Sequence, residues 1–315
     1  MKNVLIVGGA GYVGGAITDL VQADPRFKVR VYDSIVYEDS FRKPVDFVYG
    51  DVRDTAKLLP QLKWADCVVW LAALVGDGAC AVDPELTKAI NQDSVKWLSE
   101  NFKGRIIFMS TCSVYGAQDA ELDESSPATP LSIYASTKLS AETYLKDSNA
   151  IIFRLGTLFG VGDLFSRIRL DLVVNILTVR AATTKKISVF GGNQFRPLLH
   201  VKDVARAVVM NLETSHRGIY NLHRQNVRIV DLAYQIRNHF PDCEMETTDL
   251  PFQDTRNYRV SSKKAFETFG FQAIHSIDDG IEEVKNLLET GRIKDLNHDR
   301  YSNQRFIEKL LRPAK

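Results

Sequence analysis

The 315-residue chain carries only four cysteines, Cys67, Cys80, Cys112 and Cys243, and none forms a CxxC pair or joins histidines at zinc-site spacing. A disulfide scaffold and a structural metal are therefore not expected. Neither sign of charge is in excess: the net charge is +1, so composition points to no nucleic-acid partner and no anionic membrane. Any anion site has to be local. Long hydrophobic runs are missing too. Val4-Leu5-Ile6-Val7 reaches glycine after four apolar residues, too few for a signal-peptide core or a membrane span. A cytoplasmic location is the resulting expectation. His200, His216, His223 and His239 form no metal set. The proportions of apolar and charged residues suit a folded globular protein. The length suits one large domain, or a domain with an appendage.

What is present begins at once. The apolar run Val4–Val7 suits a strand buried on both faces, and Gly8-Gly9-Ala10-Gly11-Tyr12-Val13-Gly14-Gly15 follows, opening a helix. Gly8, Gly11 and Gly14 leave backbone bare where a pyrophosphate can approach, and the helix N-terminus supplies free amides. A second strand, Lys28–Tyr32, ends in Asp33, whose carboxylate suits a ribose and repels a 2'-phosphate; NAD is expected over NADP. Phe47–Gly50 reads as a third strand delivering Asp51 and Val52 towards an adenine. Cys67–Ala73 reads as a fourth, whose Leu71, Ala72 and Ala73 let a cofactor pass closely. Repeated strand–helix units of this kind imply a Rossmann-type, doubly wound parallel α/β sheet.

A helix beginning at Asp83-Pro84 carries Asn91, either a solvated residue or a relay near a site. Arg105–Met109 is the fifth strand and delivers Thr111. Beyond a polar, proline-marked loop, Glu121–Pro130, Tyr134 and Lys138 stand four residues apart, on one helix face. An ammonium beside a phenol lowers the phenol pKa and fits it for general acid and base work. Thr111 is placed to hold the same substrate hydroxyl. Such a pair is common on solvated helices, so its context decides. Ile151–Leu155 is the sixth strand. Cys112 lacks the histidine pattern of a nucleophile and reads as a packing residue.

These motifs, with STCSVYG at 110–116, YASTK at 134–138 and Arg196-Pro197-Leu198-Leu199-His200-Val201-Lys202-Asp203, resemble the extended short-chain dehydrogenase/reductase family, the nucleotide-sugar epimerases and dehydratases. The resemblance spans most of residues 1–290. It implies an NAD-binding Rossmann domain, residues 1–163 with 197–222, and a smaller nucleotide-sugar domain, residues 164–196 with 223–315. It also implies a homodimer through the Asp83 and Tyr134 helices. Carried over by position, Thr111, Tyr134 and Lys138 are catalytic, and Gly8, Gly11, Tyr12, Val13 and Gly14 line the cofactor. Thr111, Cys112, Ser113, Thr157, Arg169, Asn175, Arg196 and Arg256 take the substrate places, Arg196 gripping its diphosphate.

The chain departs from the family pattern in three places. Cys112 and Ser113 stand where dehydratases carry Asp-Glu, which disfavours a 4,6-dehydratase. Thr157 replaces an asparagine common in epimerases. An arginine usual just before Asp254 is absent, while Arg256 and Arg259 stand nearby. Leu71–Gly76 with Cys80, and Arg167-Ile168-Arg169-Leu170-Asp171 through Asn175, resemble a branch with oxidoreductases acting at C4 of GDP-heptoses. The implied activity is NAD-dependent epimerisation by transient oxidation, at C4. A 4-dehydrogenase or 4-ketoreductase is the alternative, and a non-catalytic NAD-binding regulator a remote one. Residues 187–192 read as a strand and turn and 201–212, 229–240 and 276–290 as helices, while 218–222 is a return strand. Arg292–Lys315 reads as a solvated helix or tail, the alternative being that its tyrosine and arginines cover the active site, which the spacing does not demand.

Overall fold

In the first strand, Lys2–Val7, Val4 and Ile6 face one apolar layer while Leu5 and Val7 face another, and all four are fully buried. Such two-sided burial is what a central parallel strand requires, because helices cover both of its faces. The computed structural model describes residues 1–162, 165–248 and 257–312 and has a seven-stranded sheet. In sheet order its strands are Gly218–Leu222, Ala150–Leu155, Arg105–Thr111, Cys67–Trp70, Lys2–Val7, Phe27–Asp33 and Asp46–Tyr49. Every adjacent pair is parallel, as the repeated strand–helix units predict. The order reverses beside the first strand, and in such sheets ligands bind at that crevice.

The helices Tyr12–Gln22 and Val201–Asn211 cover one face, and Thr55–Trp64, Ser94–Asn101 and Ile133–Leu145 the other. A third apolar cluster joins Val173–Thr183, Ile229–Asn238 and Ile277–Glu289 to the paired strands Lys186–Phe190 and Glu244–Thr248. Thr157–Phe159, Phe195–His200 and Gln225–Arg228 form a further three-stranded sheet. The polar loop Glu121–Pro130 contains a two-residue strand, Glu121–Leu122, paired with Arg259–Val260.

Three expectations change. The fourth strand stops at Trp70, because the amides of both Leu71 and Ala72 donate to the Val7 carbonyl and turn the chain out of the sheet. The helix after Pro84 is interrupted by a π-turn, Ala89–Asp93, centred on Asn91. The tail is not a solvated appendage. Its helix, Asn303–Leu311, packs on Asp77–Val82 and buries Asn303 and Ile307.

Candidate active site

A cavity of about 950 Å³ opens where the strand order reverses. Its near wall is the glycine turn. Gly8 has φ +89°, and a Cβ there would meet the Ala72 amide at 2.6 Å; one on Gly14 would meet the Gly8 carbonyl at 2.5 Å. Those two glycines let the chain pack on itself. A Cβ on Gly11 would meet only the Gly8 carbonyl, at 3.3 Å, so its bare face is open to a ligand. Asp33 closes the second strand, taking the amides of Ala10 at 2.9 Å and Ile35 at 2.7 Å. Burial raises its pKa, and those amide bonds oppose the rise.

Thr111 ends the fifth strand and lies opposite Leu155 of the sixth. Its hydroxyl accepts from the Ser113 amide at 3.1 Å and stands near the Tyr134 phenol, whose pKa it lowers. Ser132 caps the Tyr134 helix, accepting from the Ala135 amide at 3.2 Å, which fixes where the helix starts and so which way Tyr134 points. Lys138 is fully inside. Its ammonium donates to the Met109 carbonyl at 2.8 Å and lies 4.8 Å from the Phe108 ring centre. Beneath, Glu142 receives the Ser110 hydroxyl and a two-point grip from Arg154, with one contact at 2.7 Å. That network ties the fifth strand, the Tyr134 helix and the sixth strand together.

The expected lowering of the Tyr134 pKa by Lys138 is not found. Burial is the largest influence and pushes the phenol well above its ordinary value, while Thr111 and Arg169 pull it back only partly. The same burial lowers Lys138 to about 8. The Lys138 ammonium is engaged by the Met109 carbonyl, and burial favours the protonated form of Tyr134.

The cavity wall includes Gly8, Gly11, Tyr12, Val13, Gly14, Asp33, Asp51, Val52, Leu71, Ala72 and Ala73, and also Thr111, Ser113, Tyr134, Lys138, Thr157, Arg169 and Arg196. Two predicted substrate residues are elsewhere. Cys112 is fully buried with its thiol on the Arg154 carbonyl, and burial raises its pKa. Asn175 is buried in bonds to both the amide and the carbonyl of Gly160, and to the Arg169 carbonyl. Arg256 lies outside the described residues. Asn91 is a tie: its side chain bonds both the amide and the carbonyl of Leu74, at 2.8 and 2.9 Å, and reaches towards Thr137.

Residue-by-residue reading misses the far wall, where Tyr37, Asn303, Ile307, Leu310 and Leu311 join Arg167. A signal existed in the tail: Phe306, Ile307, Leu310 and Leu311 recur on one helical face.

The model of the NAD dependent epimerase/dehydratase family matches residues 4–222, more than half of the chain. The chain belongs to that family. This epimerase/dehydratase-family enzyme is 27% identical to human dTDP-D-glucose 4,6-dehydratase over 351 aligned positions, covering 99% of this chain and 94% of the relative. It is 26% identical to UDP-glucose 4-epimerase of Corynebacterium glutamicum, covering 87% of this chain and 92% of the relative. Its fold matches UDP-glucuronic acid 4-epimerase from Bacillus cereus, solved with UDP-glucuronic acid and NAD, at TM-score 0.80 and 22% identity. That match covers 91% of this chain and 99% of the solved one. The family member uses NAD, and the open face of Gly11 beside the Asp33 carboxylate fits that cofactor.

Proposed function

We propose that this enzyme epimerises a nucleoside-diphosphate sugar by transient oxidation of a hydroxyl, at C4. What carries the reading is the joining of Thr111, Tyr134 and Lys138 on one wall of a cavity large enough for a dinucleotide and a sugar nucleotide. NAD, when bound, supplies the hydride acceptor and donor and brings a positive charge to the cavity. The protein supplies the rest. As the phenolate, which the positive charge brought by NAD would favour against the effect of burial, Tyr134 would take the proton of the sugar hydroxyl and return it to the ketone oxygen, while Thr111 would hold that oxygen by a hydrogen bond. Lys138, fixed on the Met109 carbonyl, orders the cofactor ribose. Arg196, buried over the Tyr258 ring, binds the diphosphate. Residues 1–163 with 197–222 form the cofactor's domain and 164–196 with 223–315 the smaller domain, which takes most of the sugar nucleotide.

Elimination of water is disfavoured because positions 112 and 113 offer a buried thiol and a hydroxyl, with no carboxylate to act as base. The test is to incubate the enzyme and NAD with UDP-, GDP-, dTDP- and CDP-sugars, following NADH absorbance and product stereochemistry together. An inverted sugar without NADH accumulation supports the epimerase. A ketosugar with stoichiometric NADH makes it a dehydrogenase. Comparable affinities for NAD and NADP would remove the role given to Asp33. The same reading carries a homodimer through the Asp83 and Tyr134 helices, which a monomer mass by light scattering would refute.

A further inference from the structure

Among the arginines on the cavity wall, Arg167 stands apart. It is 5% exposed, yet no carboxylate lies within ion-pair distance of it among the described residues. The acids around it are already engaged: Asp171 holds Arg169 at 2.9 Å, and Glu38 and Asp39 hold Arg300 at 3.6 and 3.0 Å. One nitrogen, Nη2, donates to the Arg300 carbonyl at 3.1 Å, while Nε is buried with no hydrogen-bond partner. The guanidinium carbon lies 3.5 Å from the centre of the Tyr37 ring, and the Tyr37 hydroxyl is also buried without a partner. Burial and the neighbouring Arg169 lower the Arg167 pKa to about 10, still charged at neutral pH. Asp171 and Glu38 are near enough to favour its charge but are paired with other arginines, and a buried cation without a direct ion-pair partner is costly, so the arrangement suits one completed by an anion.

The location says which anion. Gly160 and Ser166 both lie against the start of the first helix. Tyr12 donates its hydroxyl to the Gly160 carbonyl at 2.8 Å, and Ser166 sits so close to Gly15 that a Cβ there would fall 2.0 Å from the serine Cβ. Arg167 follows Ser166 and lines the same cavity as Gly11, the N-cap of that helix, where backbone amides and the positive dipole end favour phosphate. Tyr37, its stacking partner, lies on the loop that leaves Asp33. We propose that Arg167 binds the pyrophosphate of NAD, held over the glycine turn by the Arg300 carbonyl of the C-terminal segment. The flat guanidinium can bridge two phosphate oxygens, adding counter-charge that the neutral amides of the turn lack.

The proposal rests on NAD occupying the glycine turn, and the experiment separates the two. Titration calorimetry of the full chain and of Arg167→Met and Arg167→Lys is done with NAD, ADP-ribose and AMP. ADP-ribose carries the pyrophosphate without nicotinamide, and AMP lacks it. The expected result is a loss of about tenfold or more in affinity for NAD and ADP-ribose in Arg167→Met, with AMP unchanged and Arg167→Lys in between. Thermal melting without ligand is expected to be little changed in Arg167→Met, while the NAD-induced rise shrinks. NAD binding unchanged in Arg167→Met, AMP weakened as much as NAD, or weakening confined to a nucleotide sugar would each overturn the assignment. So would a lower melting temperature with the NAD-induced rise intact, since that marks a structural residue. Failure of the parent chain to bind NAD would remove the cofactor reading and the proposal together. Normal NAD binding by the variant would remove the proposal alone.

Discussion

The two sides of the cavity are built on different terms. The floor, where Thr111, Tyr134 and Lys138 sit, rests on central strands, and the Thr111 hydroxyl and the Lys138 ammonium find partners within the protein. The roof is made from the loop after Asp33, the Arg167–Asp171 stretch and the C-terminal helix. Buried side-chain atoms without partners include Tyr37 Oη, Arg167 Nε and Asn303 Oδ1 in the roof, while Trp70 Nε1 and Arg154 Nη1 belong to the sheet. Since buried polar groups are normally satisfied, a roof with three unmet ones is shaped for a ligand to complete. The floor holds its lysine and threonine in place by the protein's own hydrogen bonds.

Substitutions on the two sides should therefore fail differently. Tyr134→Phe is expected to lose about 10²–10⁴-fold in kcat while keeping NAD affinity, read by steady-state turnover and by NAD titration. Near-normal turnover would break the assignment of the floor. Glu142→Gln removes the counter-charge of Arg154 beneath it. Breaking such a pair costs about 3–5 kcal/mol, so urea unfolding should show a loss of that order. A loss below about 1 kcal/mol would mean the floor is not held as described.

Lys138→Met sharpens the comparison because it should harm activity and help stability. The folded Lys138 titrates near 8, below its ordinary 10.5, so between those values the unfolded chain keeps a proton the folded chain has released. Stability from this group therefore rises with pH through that window, and below it the full cost of the buried charge is present. The variant should gain about 1–3 kcal/mol at pH 7 and lose the advantage towards pH 10.5. An advantage independent of pH would refute the cause. Asn303→Ala, in the roof, removes a bond to the Val75 carbonyl and an unsatisfied oxygen together. The cost in stability should stay within about 1 kcal/mol, with KM for the sugar nucleotide raised and kcat kept. A fall in kcat like that of Tyr134→Phe would erase the distinction between roof and floor.

Much of this was legible before folding. The glycine turn, Asp33 at a strand end, Thr111 at another and the Tyr134–Lys138 spacing are local patterns, and backbone geometry converts each into a position. The parallel sheet followed from the same alternation of apolar runs and helices. The reading of Cys112 as a packing residue holds, since it is fully buried in an apolar cluster, but the substrate places that the resemblance gave to Cys112 and Asn175 do not. Adjacency to Thr111 in sequence says nothing about which side of the chain turns inward, and the Cys112 thiol faces Arg154 instead.

By itself, then, the sequence determined the sheet, the cofactor turn and the floor, because their contacts are set by short-range periodicity. Only tertiary structure decided the direction of the Tyr134 pKa, since burial contributed by distant segments outweighs the lysine one turn away. It also decided the roof. Arg167 meets Arg300, and Asn303 meets Val75 and Asp171, across more than 130 residues of chain, and no local pattern encodes which distant segments will meet.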